Sequence, residues 1–130
     1  MNYSNRIVCV AVMLFIALVL CVREASASCR SQGRGNFNIA KGFGMDSYRV
    51  SDGGGCGIGY RSGAGTSFTS ASINVPPSNG TLAQDGRFHF RYKSKRGFVG
   101  LDTFVINLCG DYQAKNGCVK NSYTIRVEGK

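Results

Sequence analysis

Three stretches of the chain alternate apolar and polar positions with a period of two. Over Arg87–Lys93, Phe88, Phe90 and Tyr92 fall on one side, while Arg87, His89, Arg91 and Lys93 fall on the other. Over Asp102–Leu108 the apolar set is Phe104, Ile106 and Leu108. Over Asn121–Val127 it is Tyr123, Ile125 and Val127, with Thr124 and Arg126 between them. Successive side chains of a strand point to opposite faces, so this alternation predicts half-buried antiparallel strands, dry on one face and wet on the other. Weaker strand patterns cover Phe37–Ala40, Ser47–Val50, Gly57–Arg61 and Phe68–Val75. Helical periodicity is nearly absent beyond residue 27, and clusters of Gly, Ser and Asn separate the strand patterns. Pro76-Pro77-Ser78-Asn79-Gly80 predicts a turn, because proline stops a ladder and Asn-Gly reaches positive φ cheaply. Asp85-Gly86 predicts the tip of a hairpin between Thr81–Leu82 and Arg87–Lys93.

About seven strands in about a hundred residues is the count of an immunoglobulin-like sandwich. The expected fold class is therefore all-β: an antiparallel, immunoglobulin-like β-sandwich, disulfide-stapled and preceded by a cleaved signal peptide. The leader pattern lies at residues 1–27. A positive charge at Arg6 precedes an apolar run from Ile7 to Val22, and Ala25-Ser26-Ala27 offers the small residues that signal peptidase cuts after. A retained anchor is the alternative, although the 16-residue run is shorter than the roughly 20 residues of a spanning helix. Cleavage leaves one domain, residues 28–130, with no visible linker or repeat.

The leader takes Arg6, Arg23 and Glu24 from the chain's 16 basic and 7 acidic residues, so the mature net charge is +8. That balance favours anionic partners such as surface polysaccharide, lipid headgroups or nucleic acid. The leader also takes two of six cysteines, leaving Cys29, Cys56, Cys109 and Cys118. Four cysteines in a small exported domain imply two disulfides, with three possible pairings. A zinc site needs ligands in close pairs such as C-x₂-C, and none occurs. Cys109 and Cys118 bracket Gly110–Gly117, expected as a loop between paired strands, so they face each other across its mouth and Cys29 is left to bond Cys56.

Pro77-Ser78-Asn79-Gly80-Thr81, then Phe90-Arg91-Tyr92, then Gly97-Phe98-Val99-Gly100-Leu101-Asp102-Thr103-Phe104 follow a recognisable order. Together with a closing strand at Tyr123–Val127 they resemble the bacterial immunoglobulin-like or cadherin-like repeat, over about Ile73–Glu128. The resemblance implies a sandwich of the kind that serves adhesion, spacing or carbohydrate contact on cell surfaces. The chain departs from the pattern in being a single copy, basic, and furnished with four cysteines.

The candidate contact is a cationic stripe: Arg87, His89, Arg91, Lys93, Lys95 and Arg96 fall within ten residues, mostly on the wet side of one strand. Such a stripe grips spaced phosphates, sulfates or carboxylates, and salt weakens the grip. Its bland counterpart is a solvated face that keeps the sheet from aggregating. Asp102 is expected to accept backbone N–H groups at a turn. His89 is the only histidine, so a two-histidine metal site is impossible, and no G-x-S-x-G elbow supports a serine triad. The glycine-rich run Ser51–Gly59 fits neither phosphate-loop signature and reads as a loop stapled by Cys56. These residues point to an exported, periplasmic or extracellular binding or adhesion module, not an enzyme, with no cofactor or metal. The expected partner is an anionic polysaccharide or an envelope or host surface protein, with no nucleic acid and no membrane span after cleavage. The alternative is a cationic membrane-active toxin or antimicrobial protein, although no basic amphipathic helix is present to serve it.

Overall fold

The computed structural model describes residues 29–34, 38–42, 44–63 and 65–129. The expected leader lies outside them, and so does Phe37. The described strands are β1 (Cys29–Arg34), β2 (Asp46–Ser51), β3 (Gly55–Gly59), β4 (Thr66–Val75), β5 (Gly80–Gly86), β6 (His89–Ser94), β7 (Gly100–Tyr112) and β8 (Lys115–Val127). They form a five-stranded sheet, β1-β2-β8-β7-β4, and a three-stranded sheet, β3-β6-β5. The β1–β2, β5–β6 and β7–β8 connections stay within a sheet, while the β2–β3, β3–β4, β4–β5 and β6–β7 links pass from one sheet to the other. This is the connectivity of an immunoglobulin-like sandwich. Eight strands are described where about seven were expected, and one pair breaks the antiparallel rule. β2 runs parallel to β8, Ser47 opposite Tyr123 and Arg49 opposite Ile125. The long crossover through every intervening strand makes that possible, since parallel neighbours cannot be joined by a tight turn.

The alternation seen in the sequence becomes the core. Phe90 and Tyr92 of β6 face Phe104, Ile106 and Leu108 of β7 and Tyr123, Ile125 and Val127 of β8, all essentially buried. Tyr92 stacks on Phe104 at 5.6 Å, and Phe104 on Tyr123 at 5.2 Å, so one aromatic column crosses from sheet to sheet. Burying each such side chain contributes roughly 1.5–3 kcal/mol.

Three local expectations are corrected. The strand placed over Phe37–Ala40 is instead a 3₁₀ turn at Ile39–Lys41. The Asn38 side chain accepts from the Lys41 N–H at 3.1 Å, and Gly42, at φ 65°, donates its N–H to Ile39 O, so both ends are capped. The hairpin expected to turn at Asp85-Gly86 turns at Arg87-Phe88, because Gly86 still pairs with His89 and a bulge between Gln84 and Gly86 absorbs Asp85. Finally, Gly110–Gly117 is no open loop. Strands β7 and β8 run on to Tyr112 and Lys115, and the tip is Gln113-Ala114, at φ 48° and 63°. Both tip residues sit in the left-handed region that a tight two-residue hairpin demands. Gly110 and Gly117 let other elements approach the hairpin closely: a Cβ on Gly110 would lie 2.3 Å from Ser67 O of β4, and one on Gly117 2.7 Å from Ile39 O of the 3₁₀ turn.

The disulfides are those expected, though one sits differently. Cys109 and Cys118 are opposite residues within the β7–β8 ladder, their Cα atoms 4.0 Å apart, not at the mouth of a loop. Cys29–Cys56 ties β1 of the large sheet to β3 of the small one. Their sequence separations are 27 and 9 residues. Loop-closure entropy then assigns about 3.6 kcal/mol to the first and about 2.7 kcal/mol to the second. Guanidinium denaturation of the two double-alanine variants should show Cys29→Ala/Cys56→Ala as the less stable. The opposite order would mean that strain or packing, not chain entropy, governs these bonds.

Candidate functional site

The segment Lys93–Phe104 leaves β6, turns and enters β7, and a single carboxylate organises it. Asp102 is 2% exposed. Its Oδ1 accepts the N–H groups of Ser78 and Thr103 at 3.0 and 3.1 Å. Its Oδ2 accepts the N–H of Asn79 and the hydroxyl of Tyr92, both at 3.0 Å. The turn before β5, the inner face of β6 and the start of β7 are thereby held at one point. Lys95 reinforces it, its N–H donating to Asn79 O and its Nζ to Ser78 O, both at 2.8 Å. Gly80 permits the approach, since a Cβ there would meet the Tyr92 ring at 2.5 Å and Lys93 O at 2.6 Å. Gly97 and Gly100, at φ 78° and 138°, shape the turn. This half of the segment is architecture.

The basic half is surface. β6 is the middle strand of the small sheet, and His89, Arg91 and Lys93 stand on its outer face while Phe90 and Tyr92 point inward. Their neighbours on β3 are Gly59, Gly57 and Gly55 in register, so no side chain rises beside the cations on that side. The column contains one carboxylate. Asp85, carried outward by the β5 bulge, meets His89 Nδ1 through Oδ1 and Arg91 Nε through Oδ2, the latter at 3.0 Å. The His89 hydrogen bond, opposed in part by desolvation and helped by Arg91, holds the Asp85 carboxyl below the usual carboxylate range. Lys93 makes no hydrogen bond or ion pair among the described residues, and Arg91 remains 66% exposed.

The other predicted cations divide. Arg87 sits in the hairpin turn, where its Nη2 donates to Thr69 O at 3.2 Å and its guanidinium lies 5.1 Å over the Phe88 ring. It joins the two sheets at their edges and leaves the column. Lys93, Lys95 and Arg96 line a cleft of about 580 Å³ at the end of the sandwich, with Phe98 on its wall and Asp52 and Glu128 among its lining residues. The stripe expected from the sequence is therefore a column of three, a turn residue, and a cleft rim of mixed charge.

Compared with protein-family models and with curated protein sequences, the chain matches none. The site has to be read from its own chemistry. Among the described residues, no helix is long and apolar enough to cross a membrane. Sequence reasoning missed Asp85 as a partner of the cations, having spent it on a turn. It also missed Arg49, whose Nη1 donates to Gly57 O at 3.0 Å and whose guanidinium lies 5.9 Å over Tyr123. The order Asp85–His89–Arg91 carried a signal, because a hairpin returns such residues to one another.

Two outcomes are expected of the architectural half. Asp102→Asn keeps the size but aims an amide N–H₂ at a donor, and should lower stability by about 1.5–3 kcal/mol in urea unfolding. A cost near zero would remove Asp102 from its central place. The second outcome concerns alkaline pH. Burial, then the bond to Asp102 and its charge, push the Tyr92 phenol far above its ordinary value near 10. Burial likewise raises Tyr60, against its bonds to Tyr123 and Asn121. Both phenols favour the neutral form in the fold, so their contribution is intact below pH 10 and is lost as pH rises, when the unfolded chain ionises first. The melting temperature should hold from pH 7 to 9, then fall, and the fall should be shallower in Tyr60→Phe. An unchanged slope in that variant would contradict the assignment.

Proposed function

We propose that this chain is an exported, non-catalytic immunoglobulin-like binding module that contacts an anionic polymer of an envelope or host surface through the outer face of β6. One observation supports it most: His89, Arg91 and Lys93 form a column on the outer face of the small sheet, beside a glycine strand, with a single carboxylate among them. Alternate residues of a strand recur about every 6.7 Å, so the column offers cations at a fixed pitch along one line. Arg96 prolongs the positive potential at the rim of the cleft. Export is supported by the leader pattern over residues 1–27 and by two disulfides, which persist in oxidising compartments. The non-catalytic reading rests on the sequence, in which no nucleophile–base motif occurs. Kinship with the bacterial immunoglobulin-like or cadherin-like repeat is part of the proposal, supported by Asp102 joining residues of its three motif segments.

Heparin serves as an acidic polysaccharide probe and dextran as a neutral one. The disulfide-bonded protein should bind heparin at low salt, release it as salt rises, and ignore dextran. Reversing Arg91, Lys93 and Arg96 to Glu should weaken heparin binding by about ten- to hundredfold, if each contact carries the energy of an exposed ion pair. Circular dichroism should stay unchanged, because all three side chains are exposed. Equal retention of the reversed variant would exclude the β6 face.

A further inference from the structure

The small sheet ends at β3, and β3 is unusual on the side that faces away from the core. Its outward residues, Gly55, Gly57 and Gly59, carry no side chains, and its inward residues are the buried Cys56 and Ile58. Backbone directions follow from the register. Tyr60 donates its N–H to Phe88 O at 3.0 Å across the ladder, so the residues two and four before it, Ile58 and Cys56, also turn their backbone groups toward β6. Gly57 and Gly59 then turn theirs to the open edge. Arg49 meets Gly57 O from that side, which agrees with this assignment. That bond is exposed, and among the described residues it is the one side-chain bond along this edge.

We infer that the β3 edge receives an extended polypeptide segment with acidic residues at alternate positions, added as a fourth strand of the small sheet. The inference rests on the β6 face being a binding surface for anions and names the kind of anion that fits. Three features favour a strand over other polyanions. Past Cys56, where the disulfide holds the Cys29 Cα of β1 5.2 Å away, the edge has no strand paired to it among the described residues, and it supplies main-chain donors and acceptors that only another main chain can pair along its length. An added strand repeats its outward side chains about every 6.7 Å, the pitch of His89, Arg91 and Lys93, so carboxylates and cations stay in step. The glycine strand between them leaves the space empty. Two strand spacings, about 9.6 Å, separate the added strand from β6, a span that an arginine or lysine meeting a glutamate covers.

His89 shows how the space is used. Its Nδ1 is taken by Asp85, and its ring leans over the glycines, with Nε2 3.4 Å from the point a Cβ on Gly57 would occupy. Nε2 is thus turned toward the edge, where it donates to a carboxylate when the ring is in its imidazolium form, since Nδ1–H is already given to Asp85. Lys93 has no competing partner among the described residues, and Arg91 would share its guanidinium between Asp85 and the newcomer. Below the edge, Arg49 adds a further cation, and its bond to Gly57 O is the one an incoming N–H replaces. An acidic strand meets cations on both sides of its main chain. A basic strand meets repulsion, which also keeps two copies of this chain from joining through β3.

The test uses a synthetic octapeptide alternating glutamate and valine, a block isomer of the same composition, an alternating peptide N-methylated on the amides facing the protein, and heparin. The expected result is that the alternating peptide binds, slows hydrogen exchange at the Gly57 and Gly59 amides, and loses affinity about tenfold on N-methylation. Gly57→Pro, which removes an outward N–H at an edge position where proline is tolerated, should weaken the peptide to the same extent and leave heparin unaffected. The peptide controls keep the test decisive should that variant unfold. Equal binding of alternating and block peptides, without amide protection, would overturn the strand mode while leaving the cationic face as a contact. Binding of heparin alone would overturn it in favour of polysaccharide. Failure of every probe would overturn both readings.

Discussion

Everything at one end of this sandwich hangs on the Asp102 carboxylate. Buried charge is costly unless its lone pairs are filled, and Asp102 fills them with three backbone N–H groups and one phenol. The donors come from three separate parts of the chain, which makes the carboxylate a clamp between the β5–β6 hairpin of the small sheet and β7 of the large one. The turn before β5, the inward Tyr92 and the start of β7 meet at this one side chain, with the two Lys95 bonds to Ser78 O and Asn79 O beside it. The aromatic column begins at the same place, since the Tyr92 that donates to Asp102 also stacks on Phe104. Polar clamp and apolar core are therefore continuous, and the loop that presents Lys95 and Arg96 inherits its shape from them.

Strand β6 has two occupations. Inward it is a core strand whose Phe90 and Tyr92 are wholly buried; outward it is a line of cations. The glycines of β3 make the outward face usable, because bulky neighbours would hold the long basic side chains upright and separate. Asp85 limits the charge without cancelling it, orienting His89 and Arg91 and leaving Lys93 unengaged. Glycine in a strand interior costs stability, and here it leaves room for the His89 ring, which a Cβ on Gly57 or Gly59 would meet at 3.4 or 3.3 Å.

The sequence revealed most where the period of two was clean. Arg87–Lys93, Asp102–Leu108 and Asn121–Val127 became β6, β7 and β8 with the expected faces inward, because burial on one side leaves little freedom of register. Asp102 was legible as a turn aspartate, but its tyrosine partner, ten residues earlier, was not. Cysteine pairing was readable from strand order. Less was legible where glycine or short polar residues erase the pattern. Gly55-Cys56-Gly57-Ile58-Gly59 was read mainly as a loop, though Cys56 and Ile58 alternate inward with nothing opposite them. The 3₁₀ turn at Ile39–Lys41 depends on the capping Asn38 and Gly42, which override the strand propensity around them. Arg87 fitted the alternation and still left the face, because the bulge at Asp85 shifted the turn by two residues.

The β7–β8 hairpin illustrates a division of labour between covalent and conformational control. Its tip, Gln113-Ala114, occupies dihedral space that asparagine and glycine fill at lower cost. Such a tip is a weak director of pairing, and a slip of one residue would turn Phe104, Ile106 and Leu108 out to solvent. The Cys109–Cys118 bond forbids the slip, four positions back from the tip on each strand. The tip is thereby relieved of setting the register. It becomes the point of the molecule where foreign sequence can be inserted, displayed and exchanged while the sandwich beneath keeps its alignment.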